Sequence, residues 1–145
     1  MSIPTVLVIE DNVADLYLIR HALDDLGAPY RLETLPDGEA ALTFIQEHRS
    51  GVRQHEPCII LLDLHLPKYN GIEVLTALKQ EPVLSHIHVV VLTSFASPSE
   101  QERVIELGGQ CVMKPSDLTE YGSLAAAVMN LCRDPNQPLV SSAAL

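Results

Sequence analysis

Apolar and polar positions along the chain fall into alternating blocks of two periods. TVLVI (5–9), CIILL (58–62), HVVVLT (88–93) and QCVM (110–113) are short, largely continuous apolar runs, and YRLETL (30–35) alternates like a half-exposed strand. Between them the spacing becomes helical. Asn12 reads as an N-cap with Leu16, Ile19, Leu23 and Leu26 behind it and Gly27 as the stop. A PDG turn (36–38) introduces a helix over 39–48. A third helix, over 71–80, spaces Ile72, Leu75 and Leu78 along one face. Ser97-Pro98-Ser99-Glu100 has the N-cap, N1 proline and N3 glutamate of a strong helix start, and Gly108-Gly109 ends that helix. A last amphipathic helix is predicted over 118–132.

The order is strand then helix, five times over. Strands that are apolar on both faces must be covered on both, so the chain is expected to be α/β, a doubly wound five-stranded parallel sheet. Sites in such sheets lie outside the carboxyl ends of the strands. Those positions hold Glu10-Asp11, Asp63, Thr93 and Lys114-Pro115. Asp63 is the most telling of them, because four apolar residues run directly into its charge. Two carboxylates about 4 Å apart repel by roughly 4 kcal/mol at an effective dielectric near 20, so several acids on one rim call for a cation. The ligands on offer are oxygens, which suits a hard ion such as Mg²⁺ rather than zinc. Near Asp63, the backbone carbonyl of His65 is the easier ligand to place.

Composition narrows the function classes. A chain of 145 residues with 47% apolar content fits one globular domain. The formal net charge of −10 argues against nucleic acid and against docking on an anionic membrane. No apolar run approaches the roughly 18 residues of a membrane span, and the N-terminus lacks the basic start of a signal peptide. Cys58, Cys111 and Cys132 are an odd, scattered set that does not resemble a disulfide framework, and the cytoplasm is the expected compartment.

VIEDN (8–12), LLDLHLPKYNG (61–71), VVVLTS (89–94) and VMKP (112–115) resemble, in order and spacing, the motifs of the receiver domain of two-component response regulators. The resemblance runs from about residue 4 to 132. It implies a flavodoxin-like fold with strand order 2-1-3-4-5, a receiver over residues 1–133 and a C-terminal extension over 134–145. The segment 47–57 and the tail resemble more specifically the stand-alone regulators paired with bacterial phytochrome histidine kinases. The family's roles, carried onto this chain, make Asp63 the phosphoacceptor for a phosphohistidine on a sensor kinase. Asp11, Asp63 and the His65 carbonyl would hold Mg²⁺, with Glu10 acting through metal-bound water. Lys114 would pair with Asp63 and then with the phosphoryl oxygens. Thr93 would turn its hydroxyl to the phosphoryl group, and Pro115 would follow a cis bond that aims Lys114 inward.

One position departs from the family pattern. Cys111 stands where an aromatic residue usually moves inward with the threonine; it is read as a small buried residue. Two other functions compete with the phospho-switch. An aspartyl-phosphate phosphatase would carry D-x-D after its first strand, whereas DLH here follows the third. A flavin or nucleotide binder would cradle phosphate after the first strand, where this chain is acidic. With no output domain expected after residue 132, the module would report through protein contacts or a phosphorelay, catalysing only its own phosphorylation and dephosphorylation. A homodimer is expected through residues 98–132, with LAAAVMNL (124–131) too apolar for one helix face to hide and the tail packing across the partner.

Overall fold

The computed structural model describes residues 3–134. Five strands, β1 (Thr5–Ile9), β2 (Arg31–Leu35), β3 (Ile59–Leu62), β4 (His88–Thr93) and β5 (Gln110–Met113), alternate with five helices. The helices are α1 (Val13–Asp25), α2 (Gly38–Arg49), α3 (Gly71–Gln80), α4 (Pro98–Glu106) and α5 (Leu118–Arg133). The strands form one parallel sheet in the order β2-β1-β3-β4-β5, as the sequence led us to expect.

Each helix starts where a side chain can accept a backbone N–H three residues on. Asn12, Asp37, Asn70, Ser97 and Asp117 are the N-caps. In α3 and α4 the capping box is complete, because Glu73 and Glu100 accept the N–H of Asn70 and Ser97 in return.

The pleat of β1, β3 and β4 explains their unbroken apolar runs. Leu7, Ile9, Ile60, Leu62, Val89 and Val91 face the core under α2, α3 and α4. Val6, Val8, Ile59, Leu61, Val90 and Leu92 face the core under α1 and α5. The second core takes up Leu124, Ala125, Val128, Met129 and Leu131, so most of the apolar excess of α5 is hidden within its own chain. That corrects the expectation that one helix face would leave much of it exposed. The exposed large apolar side chains on the 98–132 surface are instead Ile105, Met113 and Leu118. The residues after Asp134 that were expected to reach a neighbouring copy lie outside the described residues.

The cysteines need a second correction. Cys58, just before β3, is disulfide-bonded to Cys132 near the end of α5, with their Cα atoms 5.1 Å apart. The pair is 74 residues apart in the chain, so only the docking of α5 on the sheet brings it together. Cys111 is free and buried in the first core, where desolvation raises its thiol pKa, in keeping with the inert packing role expected of it.

Candidate functional site

All the strand ends named from the sequence meet at one rim. Glu10, one residue past β1, is 3% exposed, and Asp63, one past β3, is 7% exposed. Their main chains are locked to neighbouring strands: Glu10 N–H donates to the Leu35 carbonyl and Asp63 N–H to the Ile9 carbonyl, both at 3.0 Å. Asp11 is exposed beside them. One carboxylate oxygen from each of Glu10, Asp11 and Asp63 lies within 4.8 Å of the others. Among the described residues this is the one grouping of acidic, His or Cys side chains close enough to hold a metal.

Close packing fixes the backbone that carries Asp63. Gly71 is the first residue of α3, and a Cβ there would come within 2.5 Å of the Asp63 carbonyl oxygen and 2.7 Å of Leu64 Cα. Lys68, in the loop between them, has φ 70°, a left-handed conformation uncommon for a side chain of its size. Its ammonium reaches Asp37 and Glu39 at 3.5 and 3.6 Å, tying this loop to the start of α2.

Lys114, directly after β5, extends into the acidic cluster and is held there by its own N–H, which donates to the Thr93 carbonyl at 2.8 Å. Its ammonium is 3.4 Å from Asp63, 2.8 Å from Glu10 and 2.7 Å from Asp15. Burial pushes the Lys114 pKa down, but the hydrogen bonds its ammonium donates to Asp15 and Glu10 and the charge of Asp63 outweigh it, and the net shift is upward. Burial raises the Glu10 pKa; contact with Lys114 and with the Asn12 N–H offsets it only in part, the Asp63 charge adds to the rise, and the net value is about 7. A carboxylate costly to ionise in a dry site is one that a cation stabilises strongly. Three hard oxygen donors and no nitrogen or sulfur in the cluster suit a divalent metal ion.

Thr93 is fully buried, and its hydroxyl donates to the Phe95 carbonyl at 2.9 Å rather than facing Asp63. A ring nitrogen of His65 is 2.9 Å from the same carbonyl, so two side chains converge on one oxygen at the start of the β4–α4 loop. The His65 N–H itself donates to Asp63 Oδ1 at 3.2 Å. Pro115 is buried, but no peptide bond among the described residues is cis, which corrects the expected cis bond before it. X-Pro bonds favour trans by about 0.5–1 kcal/mol, and here the β4–β5 pairing and the carboxylates already aim Lys114.

Asp15 is the residue that the sequence reading missed. It sits in the first turn of α1, where an acid reads as a partner for the helix dipole. The available signal was an acid with Leu18 and Ile19, not a basic residue, at its i+3 and i+4 positions.

Residues 6–125 match the response regulator receiver domain model. The chain belongs to the response regulator receiver family. It is 44% identical over 98 residues to the probable methanogenesis regulatory protein FilR2 of Methanothrix harundinacea, a match covering 68% of this chain and 63% of that protein. It is 38% identical over 111 residues to response regulator Rcp1 of Synechocystis sp., covering 77% and 76% of the two chains. The Mn²⁺-bound form of response regulator Rcp1 superposes with TM-score 0.74 at 31% identity, covering 97% of this chain and 99% of that one. The phosphorylated cyanobacterial phytochrome response regulator RcpA superposes with TM-score 0.81 at 28% identity, covering 94% and 98%. The phosphatase and nucleotide-binder readings are not favoured beside these matches. No helix among the described residues is long and apolar enough to cross a membrane.

Proposed function

We propose that this response regulator accepts a phosphoryl group on Asp63 from the phosphohistidine of a sensor histidine kinase. The observation that carries the reading is the convergence of Glu10, Asp11, Asp63 and the Lys114 ammonium at the carboxyl ends of β1, β3 and β5. An Asp63 oxygen attacks phosphorus, the P–N bond to the donor histidine breaks, and its electron pair returns to the imidazole, leaving 4-aspartylphosphate. Mg²⁺ held by Asp11, Asp63 and the His65 carbonyl, with Glu10 behind a water, would neutralise charge on the phosphoryl oxygens. Lys114 then pairs with the phosphoryl group. Thr93 exchanges its bond to the Phe95 carbonyl for one to a phosphoryl oxygen, which releases the β4–α4 loop.

The chain turns over no outside substrate; its chemistry is its own phosphorylation and dephosphorylation, and it signals through changed protein contacts or a phosphorelay. The likeness to the cyanobacterial phytochrome response regulator RcpA supports a bacterial phytochrome as the kinase. We place it in the cytoplasm, free of nucleic acid and membrane. A homodimer through residues 98–132 is supported by exposed Ile105, Met113 and Leu118. Intact-mass measurement after incubation with acetyl phosphate and Mg²⁺ tests the central step. Wild type should gain one phosphate and Asp63→Asn none; equal labelling of both would refute it. Light scattering over a concentration series, with and without truncation after Arg133, tests the dimer.

A further inference from the structure

The N-terminus of α1 departs from the pattern of α3 and α4. In those helices the N3 glutamate returns to the N-cap N–H. In α1 the Asp15 N–H donates to the Asn12 side chain as usual, but the Asn12 N–H donates to Glu10 Oε2 at 3.1 Å. Glu10 has taken the place that the N3 side chain would occupy. The Asp15 carboxylate is thereby free of its capping role, and it turns to Lys114 at 2.7 Å, the shortest of that ammonium's three ion pairs.

The other two partners of Lys114, Glu10 and Asp63, belong to the metal cluster, and Asp15 does not. An ammonium with only those two partners would compete with a divalent ion for the same oxygens. We infer that Asp15 is a positioning residue: by drawing the Lys114 ammonium toward α1 it lessens that ammonium's hold on Glu10 and Asp63, so that both cations share the rim. This rests on the reading of the Glu10, Asp11 and Asp63 cluster as the metal site. A partner outside the cluster also gives Lys114 a resting place on α1 from which it can turn to a new anion on Asp63.

A four-way comparison of Mg²⁺ affinity in the full chain tests it. Asp15→Asn is made in wild type and in Lys114→Ala, and binding is followed by NMR shifts of the Asp11 and Asp63 amides. Removing one carboxylate near a cation weakens binding in either background. The inference requires a further loss only where Lys114 is present, because the ammonium then falls back on Glu10 and Asp63. We expect Asp15→Asn to weaken Mg²⁺ about tenfold with Lys114 present and about twofold without it, allowing for solvent screening at the rim. Asp15→Glu, which keeps the charge on the same face, should recover most of the difference. Equal factors in the two backgrounds, with wild type binding Mg²⁺ normally, would overturn the role of Asp15 and leave the metal site standing. Failure of wild type to bind Mg²⁺ at millimolar concentration would overturn both. The ¹⁵N signal of the Lys114 ammonium gives a metal-free check: Asp15→Asn should speed its hydrogen exchange several-fold, and an unchanged rate would count against the tether.

Discussion

Reducing the Cys58–Cys132 bond should lower stability substantially without touching the phosphoryl site. The bond joins positions 74 residues apart, and cross-linking a loop of that length removes about 4 kcal/mol of chain entropy from the unfolded state. For a domain of this size each kcal/mol moves the melting temperature by about 3 °C, so reduction should lower it by about 12 °C. The assay is thermal unfolding by circular dichroism with and without a phosphine reductant. Cys132→Ser serves as the control that should match reduced wild type and ignore the reductant. Thiol titration in denaturant reports the starting state: one free thiol if oxidised, three if reduced. Cys58 and Asp63 lie at opposite ends of β3, roughly 16 Å apart at strand rise. Labelling of Asp63 by acetyl phosphate at 25 °C should therefore be the same in both forms. A melting shift under about 3 °C, in protein whose titration shows one thiol going to three, would refute the entropy argument.

Lys114→Ala should bind Mg²⁺ at least as tightly as wild type, since it removes a competing cation, and should still accept phosphate while losing the NMR response of residues 94–113; a normal response would remove the lysine from the switch. Glu10→Gln should become progressively more stable relative to wild type as pH rises from about 5 to about 8. The folded pKa of Glu10 is raised from 4.5 to about 7, so its stabilising protonated form is fully present below 4.5 and lost as pH climbs through 7, a span worth roughly 3 kcal/mol by proton linkage. Urea unfolding across that range measures it, and a gap that does not widen with pH contradicts the buried-carboxyl reading. Gly71→Ala should cost about 1–3 kcal/mol and slow phosphorylation, because the new methyl meets the Asp63 carbonyl oxygen and the main chain of Leu64. Unchanged stability and labelling rate would show that this backbone yields more easily than its contacts imply.

The order of elements, their ends and their faces were written locally. Asn12, Ser97 with Pro98, and the runs before Glu10 and Asp63 each act within a few residues, through caps, periodicity and backbone preference. Because a parallel α/β sheet gathers its strand ends on one rim, those local signals were enough to name Glu10, Asp11, Asp63, Thr93 and Lys114 together. What the sequence could not specify was which side chains meet across long separations. Lys114 and Asp15 are 99 residues apart and meet because the end of β5 and the first turn of α1 reach the same rim; Cys58 and Cys132 are 74 apart and meet because α5 docks on the sheet beside β3. The same holds for the Phe95 carbonyl that Thr93 and His65 share, for the trans bond before Pro115, and for the share of α5 that the second core takes up. Such contacts depend on the docking distance and rotation of whole elements, set by the packing of the entire core, and no local pattern in the chain carries that information.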